Sequence, residues 1–221
     1  RKRLRMSPGY APQSATDLLD WIVERIAIGL AEWEELLLRI AADDVDSEPV
    51  AWVMALHAKV VRLRVGNREL IIALENLPAV AHGFYGATLN EDELEILPLN
   101  TGMELPALDM QMNDLDDANP DELLTILLGN WLQFFGPITA QSIVEQLQVD
   151  PARVSAALQD LLDERALITG NLITDSDDST YCDSGNFEML LRLARQIAIP
   201  TFDALELEWL PLILHTYQSS H

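Results

Sequence analysis

Two dipeptides, Asn119-Pro120 and Asp150-Pro151, constrain the fold of this chain more than any other feature. Asn and Asp are strong helix N-caps, because their short side-chain oxygens reach the free N–H groups of the first turn. A proline directly after the cap has no N–H to leave unpaired, and its φ is already helical. Each pair therefore starts a helix. After Pro120, the acids Asp121-Glu122 suit a helix N-terminus. Leu123, Leu124, Leu127, Leu128, Trp131 and Phe135 then recur at helical spacing and make one apolar face. Gly136-Pro137 stops that helix. Thr139 caps a second one, with Ile143, Val144 and Leu147 inward. Pro151 opens a third, with Val154, Leu158, Leu161 and Leu162 on one side. Residues 166–173 change to strand-like composition, 175–179 (Asp-Ser-Asp-Asp-Ser) make a turn, and Thr180-Tyr-Cys182 is a short return strand.

Three helices followed by a β-hairpin is the order of a winged helix, a relative of the helix-turn-helix. The first part of the chain repeats the plan. Thr16 is expected to cap a helix carrying Leu18, Leu19, Ile22, Ile26 and Ala27. Gly29 precedes Gly136 by 107 residues, and at the same offset Leu36 matches Ile143 and Ile40 matches Leu147. A Pro49-led helix follows, then Val60–Val65, Gly66-Asn67 and Glu69–Leu74, a hairpin with a favoured two-residue turn. The expected fold class is mainly α with small β-hairpins, α+β. A basic arm (1–13) precedes a first winged-helix-like unit (14–78). An acidic linker (79–119), a second winged-helix unit (120–184) and a C-terminal helical segment (185–221) broken at Pro200 and Pro211 follow. Two unrelated helical lobes are the alternative.

Charge narrows the function. The 221 residues carry 14 basic and 36 acidic side chains, a net charge of -22, and such a surface repels phosphate. Between 120 and 183 the bases are Arg153 and Arg165 against 11 acids. Cys182 is the single cysteine, so no intrachain disulfide forms and a reducing, cytoplasmic setting is expected. The sequence has no Cys/His cluster of zinc type and no apolar run long enough to span a bilayer. Arg1-Lys-Arg-Leu-Arg5 has neither an initiator Met nor a following apolar run, which reads as a piece of a longer protein or a processed terminus.

Several of these residues, in this order, resemble the region C-terminal to the motor of large helicase-related (Lhr) proteins. They are Trp131-Leu-Gln-Phe-Phe-Gly-Pro-Ile-Thr-Ala140, Ala157-Leu-Gln-Asp-Leu-Leu162 and Tyr181-Cys-Asp183, followed by Leu190-Leu-Arg-Leu-Ala-Arg195. Ile199-Pro200, Phe202 and His215-Thr-Tyr-Gln218 are similar to the family's continuation, and Val65–Pro78 to the strand pair before it. The resemblance covers most of residues 50–218. It departs at Tyr181, where the family has Trp, and in the acids of the third helix and wing. It implies a parent that is an ATP-dependent superfamily-2 DNA helicase, with ATP and Mg2+ bound in the motor. The chain itself has neither a GxxxxGK[ST] loop nor a DExH box, so no cofactor and no catalytic or metal residue is expected in it. Gln146-Leu-Gln148 resembles the paired glutamines of related glycosylases, and a solvated helix end is the plainer reading.

The clustered bases are Lys59, Arg62, Arg64 and Arg68. Alternation puts Arg62 and Arg64 on one face of the first hairpin, with Arg68 just past its turn. With Arg153 on the third helix, these are the candidate nucleic-acid contacts. A solvated strand face balanced by Glu69 and Glu75 is the alternative. The function expected is a non-catalytic accessory module of an Lhr-type helicase. It would position DNA through the parent protein or scaffold other domains of the same chain, with no membrane and no small-molecule substrate. An acidic tandem winged-helix module that binds partner proteins is the second possibility.

Overall fold

Ser14 begins the first helix: its hydroxyl accepts the Asp17 N–H at 3.1 Å. In the computed structural model, which describes residues 9–43, 49–86, 94–107, 118–173 and 178–198, helix α1 is Ala15–Arg25. The expected cap, Thr16, lies inside the first turn instead. Ser14 is extended and its hydroxyl already meets the third N–H, so the helix starts before Thr16. The helix also ends before Ile26, because the Ala27 N–H turns back to the Arg25 carbonyl at 2.7 Å. Ile26 takes φ 64° and ψ -60°, a strained γ-turn for a β-branched residue.

Strand β1 (Ile28–Gly29), α2 (Leu30–Asp43) and α3 (Pro49–Leu56) follow. The hairpin is β2 (Val60–Val65) and β3 (Arg68–Ala73), with Gly66 at φ 55° in its turn. Helix α4 (Leu77–Val80) runs into a π-helical turn, Ala81–Tyr85. Strand β4 is Leu94–Pro98. The second half contains α5 (Pro120–Leu132), α6 (Ala140–Leu147) and α7 (Pro151–Asp163). It closes with β5 (Leu167–Gly170), β6 (Thr180–Asp183) and α8 (Ser184–Ala198). Asn119, Thr139 and Asp150 cap α5, α6 and α7 as their sequence positions predict. The chain is thus α+β.

One topological pattern occurs twice. Ile28, between α1 and α2, pairs antiparallel with Ile71 on the second strand of the hairpin that follows. Ile138, between α5 and α6, pairs with Tyr181 on the second strand of its own hairpin. Both hydrogen bonds of that second bridge form, at 2.9 and 2.8 Å.

The first sheet has the order β1-β3-β2-β4, so β4 from the expected linker segment extends it along Val61–Val65 of β2. Helices cover both of its faces. Val60, Ile71 and Ala73 pack with Trp21, Ile22, Trp33, Leu36 and Val53 of α1 to α3. Val61, Leu63, Val65, Leu70 and Ile72 pack with Phe84, Leu128, Trp131, Ile143 and Leu158. Val61, Leu63 and Val65 thus face one layer, while Val60, Arg62 and Arg64 face the other.

The chain divides into two compact units, 1–187 and 188–221. In the second, residues 188–198 are the described ones and continue α8, with Met189, Leu193 and Ile197 exposed. The basic arm at Arg1–Arg5, the wing-tip acids Asp175 and Asp177, and the breaks at Pro200 and Pro211 lie outside the described residues. No helix among the described residues is long and apolar enough to cross a membrane.

Candidate nucleic-acid interface

The β2 alternation places Arg62 and Arg64 on one face, as expected, and the register sets Glu69 and Glu95 beside them there. Arg62 donates to Glu69 Oε2 and to the Pro98 carbonyl, both at 3.0 Å. Arg64 pairs with Glu69 Oε1 at 2.8 Å and also with Glu95. The hydrogen bonds it donates to Glu69 hold the Arg64 pKa above its ordinary value. Glu95, reached only because β4 joins the sheet, takes the balancing place that the sequence suggests for Glu75. Arg68 sits at the turn and donates from Nε to the Glu145 carbonyl at 3.1 Å. Lys59 is exposed, and its own carbonyl closes the hairpin by accepting the Leu74 N–H. The patch is therefore a mixed-charge network rather than a positive strip. Phosphate would have to displace carboxylates from Arg62 and Arg64.

Arg153 turns inward. Its guanidinium donates to the Phe84, Gly83 and Pro120 carbonyls at 2.8, 2.8 and 3.1 Å and to the Asp121 carboxylate at 2.7 Å. It thereby satisfies carbonyls at the end of the π-helical turn and joins that turn to the start of α5. Only 11% of its side chain is accessible. The structure brings Arg62 and Arg64 together and leaves Arg153 with a structural task.

A buried charge centre escaped the sequence reading. Arg25 is fully inaccessible, and its Nη2 lies 2.6 and 2.7 Å from the two Glu32 oxygens. The guanidinium stacks 4.9 Å from each of the Phe134 and Phe135 ring centres and 5.7 Å from that of Trp21. Its Nε and Nη1 have no hydrogen-bond partner, so ring faces provide the remaining compensation. Burial pulls the Arg25 pKa down and pushes the Glu32 carboxyl up, and each partner opposes the shift of the other. The signal was present in the sequence. Leu18, Trp21, Ile22 and Arg25 follow a helical stripe, which puts an arginine on the buried face.

Glu32 also borders a cleft of about 550 Å3 with Arg68, Glu69, Trp131 and Gln146. Gln148 forms the left-handed cap of α6 and bonds back to the Glu145 carbonyl. Among the described residues no hydrogen bond joins either glutamine to an acidic side chain. His57 lies against the Met54 carbonyl and His82 against that of Ala118. Among the described residues no three His, Cys, Asp or Glu side chains are grouped to hold a metal. Cys182 is buried on β6, and burial first, then Asp183, raise its thiol pKa, the opposite of what an activated nucleophile needs. Asp183 accepts the Asn186 N–H at 2.8 Å and caps α8. Compared with protein-family models and with curated proteins, the chain matches none.

Proposed function

We propose that this chain is a non-catalytic accessory module of an Lhr-type, ATP-dependent DNA helicase, built from two winged-helix units, the second packed against one face of the first unit's sheet. In this reading it scaffolds the parent enzyme, and the motor makes the phosphate contacts. The observation that carries the reading is the repeated bridge, Ile28 with Ile71 and Ile138 with Tyr181. In each case a residue between the first two helices pairs with the second strand of the following hairpin, as in a winged helix. Internal use of Arg62, Arg64 and Arg153 supports a scaffold over a groove reader. The parentage rests on the sequence resemblance. Helicase motifs in the reading frame upstream of Arg1 are the expected result, and a start codon immediately before it would remove the helicase parent.

The role is tested by salt-titrated binding of the chain to duplex DNA. The expected result is no saturable binding even at low ionic strength. Saturable binding lost on joint replacement of Arg62, Arg64 and Arg68 by Ala would instead make the hairpin a DNA contact. A second reading, a protein-interaction module, is favoured by an acid-lined cleft between α5 and α7.

A further inference from the structure

Between α5 and the end of α7 lies a cleft of about 650 Å3 that reaches the start of the second hairpin. Its floor includes Gly129 and the buried Leu161 and Leu167. Gly129 lets the helices approach: a Cβ there would lie 3.1 Å from Leu161 Cδ2. Ile126 lines the cleft with 59% of its surface accessible, an apolar side chain on the face of α5 turned away from the core. Glu122, Asp160, Asp163, Glu164 and Asp183 surround it, and no Lys or Arg is among the lining residues.

These acids differ from the four that lie beside arginines. Glu32, Glu69, Glu95 and Asp121 each face an arginine. The five cleft acids have no ion pair among the described residues. Unpaired like charges around an apolar, low-dielectric floor focus a negative potential into the cleft. That field repels nucleic acid and attracts cations. The exposed isoleucine adds a demand for an apolar contact, which a free cation cannot meet.

We propose that this cleft is a docking groove for a Lys/Arg-rich amphipathic segment of a partner protein. An apolar side chain of that segment covers Ile126, and its basic residues face Asp160, Asp163 and Glu164. Helix-in-groove recognition combines an apolar stripe with flanking charges in this way, and charge complementarity sets encounter rate and partner choice. The proposal deepens the protein-interaction reading and is independent of the helicase parentage. DNA binding and peptide binding are separate measurements, so either reading can fail alone.

The test titrates the full chain into a fluorescein-labelled amphipathic peptide of Lys, Leu and Ala, followed by anisotropy. A peptide of equal charge with Ser in place of Leu is the control. Saturable binding is expected for the Leu peptide and at least about tenfold weaker binding for the Ser peptide. Ile126→Asp and the pair Asp160→Lys with Asp163→Lys are each expected to weaken the Leu peptide about tenfold or more. All of these sites are surface positions, and circular dichroism checks that the variants fold. Glu34→Lys with Glu104→Lys makes the same charge change away from the cleft and is expected to leave affinity within about twofold. Equal loss from the distant pair, or equal binding of the Ser peptide, would overturn the groove in favour of a general acidic surface. If removal of residues 1–8 alone tightens peptide binding, the occupant is the chain's own basic arm, and the partner proposal falls.

Discussion

Trp131 Nε1 donates a 3.0 Å hydrogen bond to the carbonyl of Ala27, 104 residues away in the chain. Both groups are buried, and the bond lands directly after the strained turn at Ile26. It fixes the end of α1 to the last turn of α5, so the helices on the two faces of the first sheet are joined by a polar contact as well as by packing. Trp131→Phe keeps most of the ring but leaves the Ala27 carbonyl without this donor. A loss of about 1–3 kcal/mol is expected, read from the urea midpoint. An unchanged midpoint would mean that the turn is held by packing alone.

Arg25→Ala removes a buried cation from between Trp21, Phe134 and Phe135 and leaves Glu32 without its partner. Breaking one side of a buried pair costs about 3–5 kcal/mol. Arg25→Lys is expected to recover only part of this, because an ammonium cannot stack on rings as a planar guanidinium does. Equilibrium unfolding distinguishes stacking from charge: an Arg25→Lys variant as stable as the native protein would remove the stacking contribution.

Burial raises the Glu32 carboxyl above its ordinary 4.5 more than Arg25 lowers it. The folded protein therefore holds this proton more tightly than the unfolded chain does. Its contribution to stability is fully present below the unfolded pKa and is lost as pH rises through the folded pKa. Glu32→Gln cannot titrate and keeps an acceptor oxygen for Arg25. The stability of the native protein relative to Glu32→Gln should consequently fall as pH rises from about 4 through the raised pKa. Urea titrations across that range measure it, and a difference that grows with pH would show that Arg25 outweighs burial.

Arg153→Lys should destabilise although the charge is kept. Three backbone carbonyls and Asp121 are bound by the arginine fork, and a single ammonium cannot reach the same set. A cost of about 1–3 kcal/mol is expected. Hydrogen exchange should locate the loss in the π-helical turn, whose Gly83 and Phe84 carbonyls would lose donors. Protection unchanged there, with a similar global loss, would place the role of Arg153 elsewhere.

Local chemistry made much of this fold legible. Asn119, Thr139 and Asp150 announce three helices because a cap and its N–H partners lie within three residues of one another. Gly66-Asn67 announces the first hairpin for the same reason of short range, and alternation alone puts Arg62 and Arg64 on one face. At α1 two equally short hydroxyl side chains competed, and Ser14 rather than Thr16 took the extended cap position.

What the sequence by itself determined, then, is the capped helices, the two hairpins and the facing of their side chains, since these follow from contacts a few residues apart. Only tertiary structure decided what those side chains meet. Glu95 reaches Arg64 because β4 pairs along β2, and Arg153 reaches Gly83 and Phe84 because α7 packs near the π-helical turn. Arg25 lies within an aromatic cluster drawn from α1 and from the segment just after α5. Charge counted along the chain cannot separate an arginine aimed at phosphate from one already paired, because the pairing carboxylate or carbonyl is supplied by a distant segment.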